Sequence, residues 1–334
     1  MKLVSIIIPI YDQCNGIEEC YKSLVNQTYK NIEIIFVGNN LDFKEKFNDK
    51  RVYFINIKKN DLFEIIKVGI IQAKGEYISF VYGNDTIARD FIYKLVKSLE
   101  NGNSDISVGR IGFHKCINLK SKKKSKKIDL IDKKEYLPVL ISLIIGKLFK
   151  RELFDCFNNS LNSYEELSIM CLLYIKCRYI SSVNDAIYYY HSSKIEEIDG
   201  YKFEYLYNTF SSLRYLYEKL EKVDKLEDYF YEMEILFIIL IFRRIGIIMN
   251  SALDKIYRYR FISSMLDYLE YFFPDWEMNP YYRVGYRLGE LPDRYNIKLV
   301  VKELSKIKRK RLYISLEDVY DRYKKIEEMY EKIK

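Results

Sequence analysis

The apolar positions follow two different rhythms along the chain. In the first part the run LVSIIIPIY (3–11) is continuous, without the alternation of a strand that has one wet face. Such a run predicts a strand buried on both sides. IEIIFVGNN (32–40) repeats the signal, and RVYFINIKK, EYISFVY and DISVGRIGFH supply further strands. Between them, GIEECYKSLVNQTY, DLFEIIKVGIIQA and ARDFIYKLVKSLENGN place apolar residues at helical spacing, the last stopped by Gly102. Strands alternating with helices of this length imply right-handed crossovers and a mostly parallel sheet. In such sheets ligands bind beyond the carboxyl ends of the strands. The ends in this chain are Pro9-Ile10-Tyr11, Gly38-Asn39-Asn40 and Tyr82-Gly83-Asn84-Asp85.

After KSKKKSKK (120–127), read as a solvated loop, come one or two helices in EYLPVLISLIIGKLFKRELF and an amphipathic helix in SYEELSIMCLLYIKCRYI. AIYYYHSS follows as a strand entering a loop. From about Ile198 the period changes to 3.6 residues throughout 201–221, 225–250, 251–273 and 296–334, interrupted by FFPDWEMNPYYR. The expected organisation is therefore an α/β domain over 1–197 and an all-helical region over 198–334.

Composition narrows the partners. A formal charge of +8 suits a phosphate-bearing substrate or an anionic membrane surface, the latter through the basic helical tail. It is too diffuse for nucleic acid, and no nucleic-acid motif occurs. Six cysteines without a C-x-x-C pair, beside only two histidines, argue against zinc and for a reducing, cytoplasmic setting. The start MKLVSIIIPIY lacks the parts of a signal peptide. The apolar runs ILFIILIF and VLISLIIG fall well short of the roughly 20 residues of a membrane span.

Six ordered blocks carry a resemblance. VSIIIPIYDQ, IEECYKSLVNQTYKNIEIIFV, AKGEYISFV, GKLFKRELF, YEELSIMCLLYIKCRYI and AIYYYHSS resemble segments of the family-2 glycosyltransferases of GT-A fold, over roughly residues 3–195. The resemblance implies a nucleotide-sugar donor and a glycan, lipid-linked or protein acceptor. It puts Pro9 and Tyr11 beside the nucleotide, Asn39 at its base, and His191 near its diphosphate. It makes Glu166 the general base of an inverting transfer. It also implies Mn²⁺ or Mg²⁺ at Asn84 and Asp85, the latter the remaining metal carboxylate.

The same alignment shows departures. The family's VDDGS falls on Val37-Gly38-Asn39-Asn40-Leu41, its ARNxG puts Ile66 and Lys67 in place of Arg-Asn, and its DSDD falls on Tyr82-Gly83-Asn84-Asp85. An amide brings no charge to a hard cation, so the ion is expected to be held weakly. Three readings stay open. One is an active transferase. A second is a non-catalytic relative that binds a glycan or stabilises a partner glycosyltransferase. The third is a structural membrane-associated adaptor that uses the basic helical tail.

Overall fold

The computed structural model describes residues 1–10, 14–39, 41–58, 62–113, 126–129, 144–157, 166–191, 203–249 and 255–280. Tyr11, residues 120–125 of the lysine-rich stretch and the basic tail from 281 onward lie outside them. The chain divides into two compact units, Met1–Lys194 and Ile195–Lys334.

The first unit is built on one nine-stranded sheet. Its strands are β1 (Val4–Ile10), β2 (Ile32–Gly38), β3 (Val52–Asn56), β4 (Tyr77–Phe80), β5 (Thr86–Ile87), β6 (Ile106–Phe113), β7 (Lys126–Asp129), β8 (Lys147–Lys150) and β9 (Tyr179–Tyr190). The order is β3-β2-β1-β4-β8-β6-β9-β5, with β7 also on β9. Pairs β1·β2, β1·β4, β2·β3 and β6·β9 are parallel. Pairs β4·β8, β6·β8, β5·β9 and β7·β9 are antiparallel. The sheet is thus mixed, with most of its paired residues in the parallel ladders and the antiparallel pairings short. The continuous apolar runs belong to its parallel part, where β1 and β2 are buried at every residue.

Helices α1 (Ile17–Val25), α2 (Leu62–Gln72), α3 (Phe91–Gly102) and α4 (Glu166–Lys176) flank this sheet. Helix α4 stops earlier than its apolar period suggests, because the Asp105 carboxylate accepts the amides of Arg178 (2.9 Å) and Tyr179 (3.0 Å) and turns the chain into β9. The carboxylate also takes Lys150 Nζ at 2.9 Å. Burial pulls its pKa up, but these bonds outweigh that and hold it below the usual carboxylate range.

Pro9 is buried inside β1, where a proline removes a ladder donor. The alternation of the strand resolves this. Tyr77 and Val81 donate to Leu3 and Ile7, so odd-numbered residues of β1 bond toward β4. β4 ends at Phe80, opposite Ile7, so the missing N–H of Pro9 falls beyond the last pair.

The described elements of the second unit are all helical: α5 (Phe203–Lys222), α6 (Phe230–Met249), α7 (Lys255–Phe272) and short 3₁₀ turns. Tyr268 donates its hydroxyl to Phe210 O at 2.6 Å, joining α7 to α5. Phe237, Phe272 and Phe273 pack ring against ring between α6 and α7. Among the described residues, no helix is long and apolar enough to cross a membrane.

Candidate functional site

The carboxyl ends of β1, β2, β4 and β9 meet through a chain of close contacts. Gly38, at the end of β2, lies so near β1 that an added Cβ would stand 2.3 Å from Ile10 O. At Gly83, in the turn after β4, it would stand 2.7 Å from Cys14 Sγ and 2.8 Å from Ile10 Cδ1. Gly38 requires glycine because backbone approaches it too closely for any side chain, whereas at Gly83 the side-chain ends of Cys14 and Ile10 would have to shift.

The turn 82–85 faces inward on both sides. Asn84 Oδ1 accepts the Gly16 amide at 3.0 Å, satisfying backbone at the entry to α1. Asp85, only 1% exposed, uses both carboxylate oxygens: Oδ2 accepts the Tyr188 hydroxyl at 2.6 Å, and Oδ1 accepts the His191 amide at 2.8 Å. The Tyr188 hydroxyl in turn accepts the Tyr82 amide at 3.1 Å. Burial pushes the Asp85 carboxyl up to about 6, while these hydrogen bonds pull it down. Burial also raises the Tyr188 hydroxyl well above its ordinary value.

Of the residues singled out in the sequence, Asn84, Asp85 and His191 come together around this turn. Pro9 sits one residue before the Ile10 that touches Gly38 and Gly83. Asn39 is exposed at the mouth of β2. His191 Nδ1 lies 3.2 Å from Tyr189 O. Glu166 opens α4, with its side chain outside the described residues; Tyr11 and Glu165 also lie outside. The expectation that all of these border one cavity therefore extends past what the structure describes.

Tyr188 and Gly16 escaped the sequence reading. Within AIYYYHSS the three tyrosines look alike. No letter pattern marks the first, yet Tyr188 is the one that is fully buried. The departure at Ile66 is also structural: it is 1% exposed, on the face of α2 where Ile65 and Ile70 are buried as well.

The residues do not suit a divalent cation of the kind the resemblance implies. Such an ion wants several convergent oxygens. Here the one amide oxygen and both carboxylate oxygens of the turn accept protein donors. Among the described residues, no group of three His, Cys, Asp or Glu side chains is placed to hold a metal.

Against known proteins, the model described as Glycosyl transferase family 2 matches residues 5–164. Residues 5–164, within the first unit, are a family-2 glycosyltransferase domain. Glycosyltransferase GlyA of Streptococcus pneumoniae is 30% identical over 32% of this chain and 16% of its own length. The poly(ribitol-phosphate) beta-glucosyltransferase of Bacillus spizizenii is 30% identical over 56% of this chain and 32% of its own length. The chain thus spans well under half the length of these curated relatives, and 38% of S. pneumoniae GlyG. Among solved structures, S. aureus TarS 1-349 in complex with UDP-GlcNAc aligns with a TM-score of 0.55, covering 99% of this chain and 92% of that one. At 16% identity this likeness speaks for the fold. The family-2 domain here is GT-A-like, with helices following it.

Proposed function

We propose that the chain transfers a sugar from a nucleoside diphosphate donor to a glycan, lipid-linked or protein acceptor, with inversion at the anomeric carbon. The observation that carries this reading is the convergence of Gly38-Asn39, the 82–85 turn and His191 at the strand ends of a family-2 domain. The UDP-GlcNAc in the TarS complex favours a uridine diphosphate sugar as the donor to try first. The formal charge of +8, with a relative named for a poly(ribitol-phosphate) acceptor, favours an acceptor that carries phosphate.

In this reading the Glu166 carboxylate takes the proton from an acceptor hydroxyl. That oxygen attacks the anomeric carbon as the bond to the diphosphate oxygen breaks, and the nucleoside diphosphate leaves. Glu166 is the first residue of α4, where the helix dipole favours the ionised, proton-accepting form. Asn39, exposed at the end of β2, is available to hydrogen-bond the base.

A second reading is favoured by Gly38 and Ile66. Two positions that hold polar side chains in the resembled family are here packed shut. This suits a relative that keeps the fold to bind a glycan or to stabilise a partner transferase. One experiment separates the two. The purified chain is incubated with UDP-GlcNAc and a panel of other nucleotide sugars, with polyol-phosphate and glycan acceptors, beside its Glu166→Gln variant. Transfer that disappears in the variant supports the enzyme. No transfer and no donor binding, together with co-purification of an active transferase from the native cell, supports the partner.

A further inference from the structure

The side-chain oxygens of Asn84 and Asp85 in the 82–85 turn are directed at the protein itself. Asn84 Oδ1 holds the Gly16 amide, ahead of α1. Asp85 Oδ1 holds the His191 amide, just past β9, and Oδ2 holds Tyr188 within β9. Tyr188 returns to the turn by accepting the Tyr82 amide. Asp85 closes its own turn as well, its amide donating to Tyr82 O at 2.9 Å. Three segments far apart in sequence, around residues 16, 84 and 190, are thus fastened to each other through two side chains. The contact is dry: Asp85 and Tyr188 are both buried.

We propose that this turn is a clasp rather than a metal site: Asp85 is a positioning residue that fixes the His191 backbone, Asn84 fixes the approach to α1, and nucleotide binding needs no divalent cation. The inference deepens the transferase reading and rests on it only where nucleotide is concerned. Buried amides are kept paired because leaving one unsatisfied is unfavourable, and Asp85 is only 1% exposed, so metal capture by its carboxylate would have to disturb the packing that seats it against His191 and Tyr188. A divalent ion would also have to shed water for a turn in which one carboxylate is the whole charge, and Mg²⁺ in particular dehydrates reluctantly.

A clasp and a metal ligand respond oppositely to one isosteric change. In Asp85→Asn the amide oxygen can still accept from His191 and the amide nitrogen can donate to the Tyr188 oxygen, so a clasp survives; a metal ligand loses its charge. Asp85→Ala removes both. The test uses the full chain, with free Mn²⁺ followed by electron paramagnetic resonance, with and without UDP-GlcNAc, and amide exchange followed over the peptides that contain Gly16 and His191.

The expected result is no Mn²⁺ uptake by the wild type in either condition and UDP-GlcNAc affinity unchanged within twofold by EDTA. Exchange at His191 should rise at least tenfold in Asp85→Ala and return to within about threefold of wild type in Asp85→Asn. Micromolar Mn²⁺ uptake that Asp85→Asn abolishes would overturn the proposal, as would equal loss of His191 protection in both variants. Should Asp85→Ala fail to fold, Tyr188→Phe removes only the hydroxyl. Exchange at the Tyr82 amide must then rise several-fold, and unchanged exchange sinks the clasp. If UDP-GlcNAc binds under no condition while the exchange pattern holds, the clasp stands and the transferase reading falls.

Discussion

Replacing Asp85 with asparagine should stabilise the first unit at neutral pH. The Asp85 carboxyl is held at about 6, against 3.8 for a free aspartate, because burial of the charged form outweighs its two hydrogen bonds. A difference of about two units, at ~1.36 kcal/mol each, is about 3 kcal/mol. The sign follows from the direction. A carboxyl whose pKa is raised by folding stabilises fully below pH ~4, and that contribution is lost as pH rises through 6. At pH 7 the wild type therefore carries a burden of about 3 kcal/mol that a neutral amide avoids. Part of the gain is given back. The Tyr188 hydroxyl, which already accepts the Tyr82 amide, must accept from the new amide as well and find another partner for its own proton. A lost hydrogen bond of that kind is worth ~1 kcal/mol. The net expectation for Asp85→Asn is a gain of about 1–3 kcal/mol at pH 7, shrinking to zero or slightly below at pH 4. The assay is urea denaturation from pH 4 to 8, read through pulse-labelled exchange of the β1 and β2 amides so that unfolding of the helical unit does not enter. A loss of more than ~2 kcal/mol at pH 7, or a gap between variant and wild type that does not change with pH, would refute the reasoning.

Glu166→Gln should lower transfer by roughly 10²–10⁴-fold while UDP-sugar affinity, measured by calorimetry, stays within a few-fold, since the amide keeps the shape but takes no proton. Gly38→Asp, which puts back a carboxylate of the resembled family, should destabilise the first unit by on the order of 1–3 kcal/mol or more in denaturant titration, because its Cβ meets backbone rather than a yielding side chain. Ile66→Arg should be worse, on the order of 3–5 kcal/mol, the scale of an uncompensated buried charge. The Asp49 carboxyl, held down to about 2 chiefly by its hydrogen bond to Arg51, gives stability present above pH ~4 and lost as pH falls through 2. Asp49→Asn should therefore cost at most about 2 kcal/mol at pH 7 and nothing near pH 1.5.

The parts of the fold that were legible in the sequence are those where one-dimensional pattern and burial coincide. β1 and β2 are buried at every residue, so their apolar runs had no competing explanation. The helical stripes of α5, α6 and α7 were equally plain. What escaped reading depends on partners distant in sequence. β5 has two residues and exists because Thr86 and Ile87 pair with Tyr189 and Tyr188. β7 uses Lys126 and Lys127, which read as the end of a solvated loop, and takes its strand character from Ser182 and Ser181. The early stop of α4 comes from Asp105, more than 70 residues away. Antiparallel additions of this kind convert a parallel sheet into a mixed one without leaving a run of apolar residues behind.

The candidate site shows the same limit at the level of single residues. Aligned motifs located Asn84, Asp85 and His191 but could not say which way they point. Three departures from the family pattern look equivalent as letters, and the structure ranks them. At Gly38 a side chain is excluded by the carbonyl of Ile10, so no rotamer change admits one. At Ile66 the helix face is core, and a polar residue would need a new partner or a new packing. At Asn84 the side chain is already polar and accepts a backbone amide, a task aspartate performs equally well. Only the last change is reversible by one substitution. Gly38 and Ile66 are closed by packing: the Ile10 carbonyl stands against the first, and the second lies on a buried face of α2 with Ile70. Two of the three positions where the resembled pattern is lost are thus framework in this fold. In the proposed transferase reading, a donor would be recognised by groups that remain open, with exposed Asn39 first among the described residues, and its diphosphate would meet a turn whose Asn84 and Asp85 side-chain oxygens already hold protein donors.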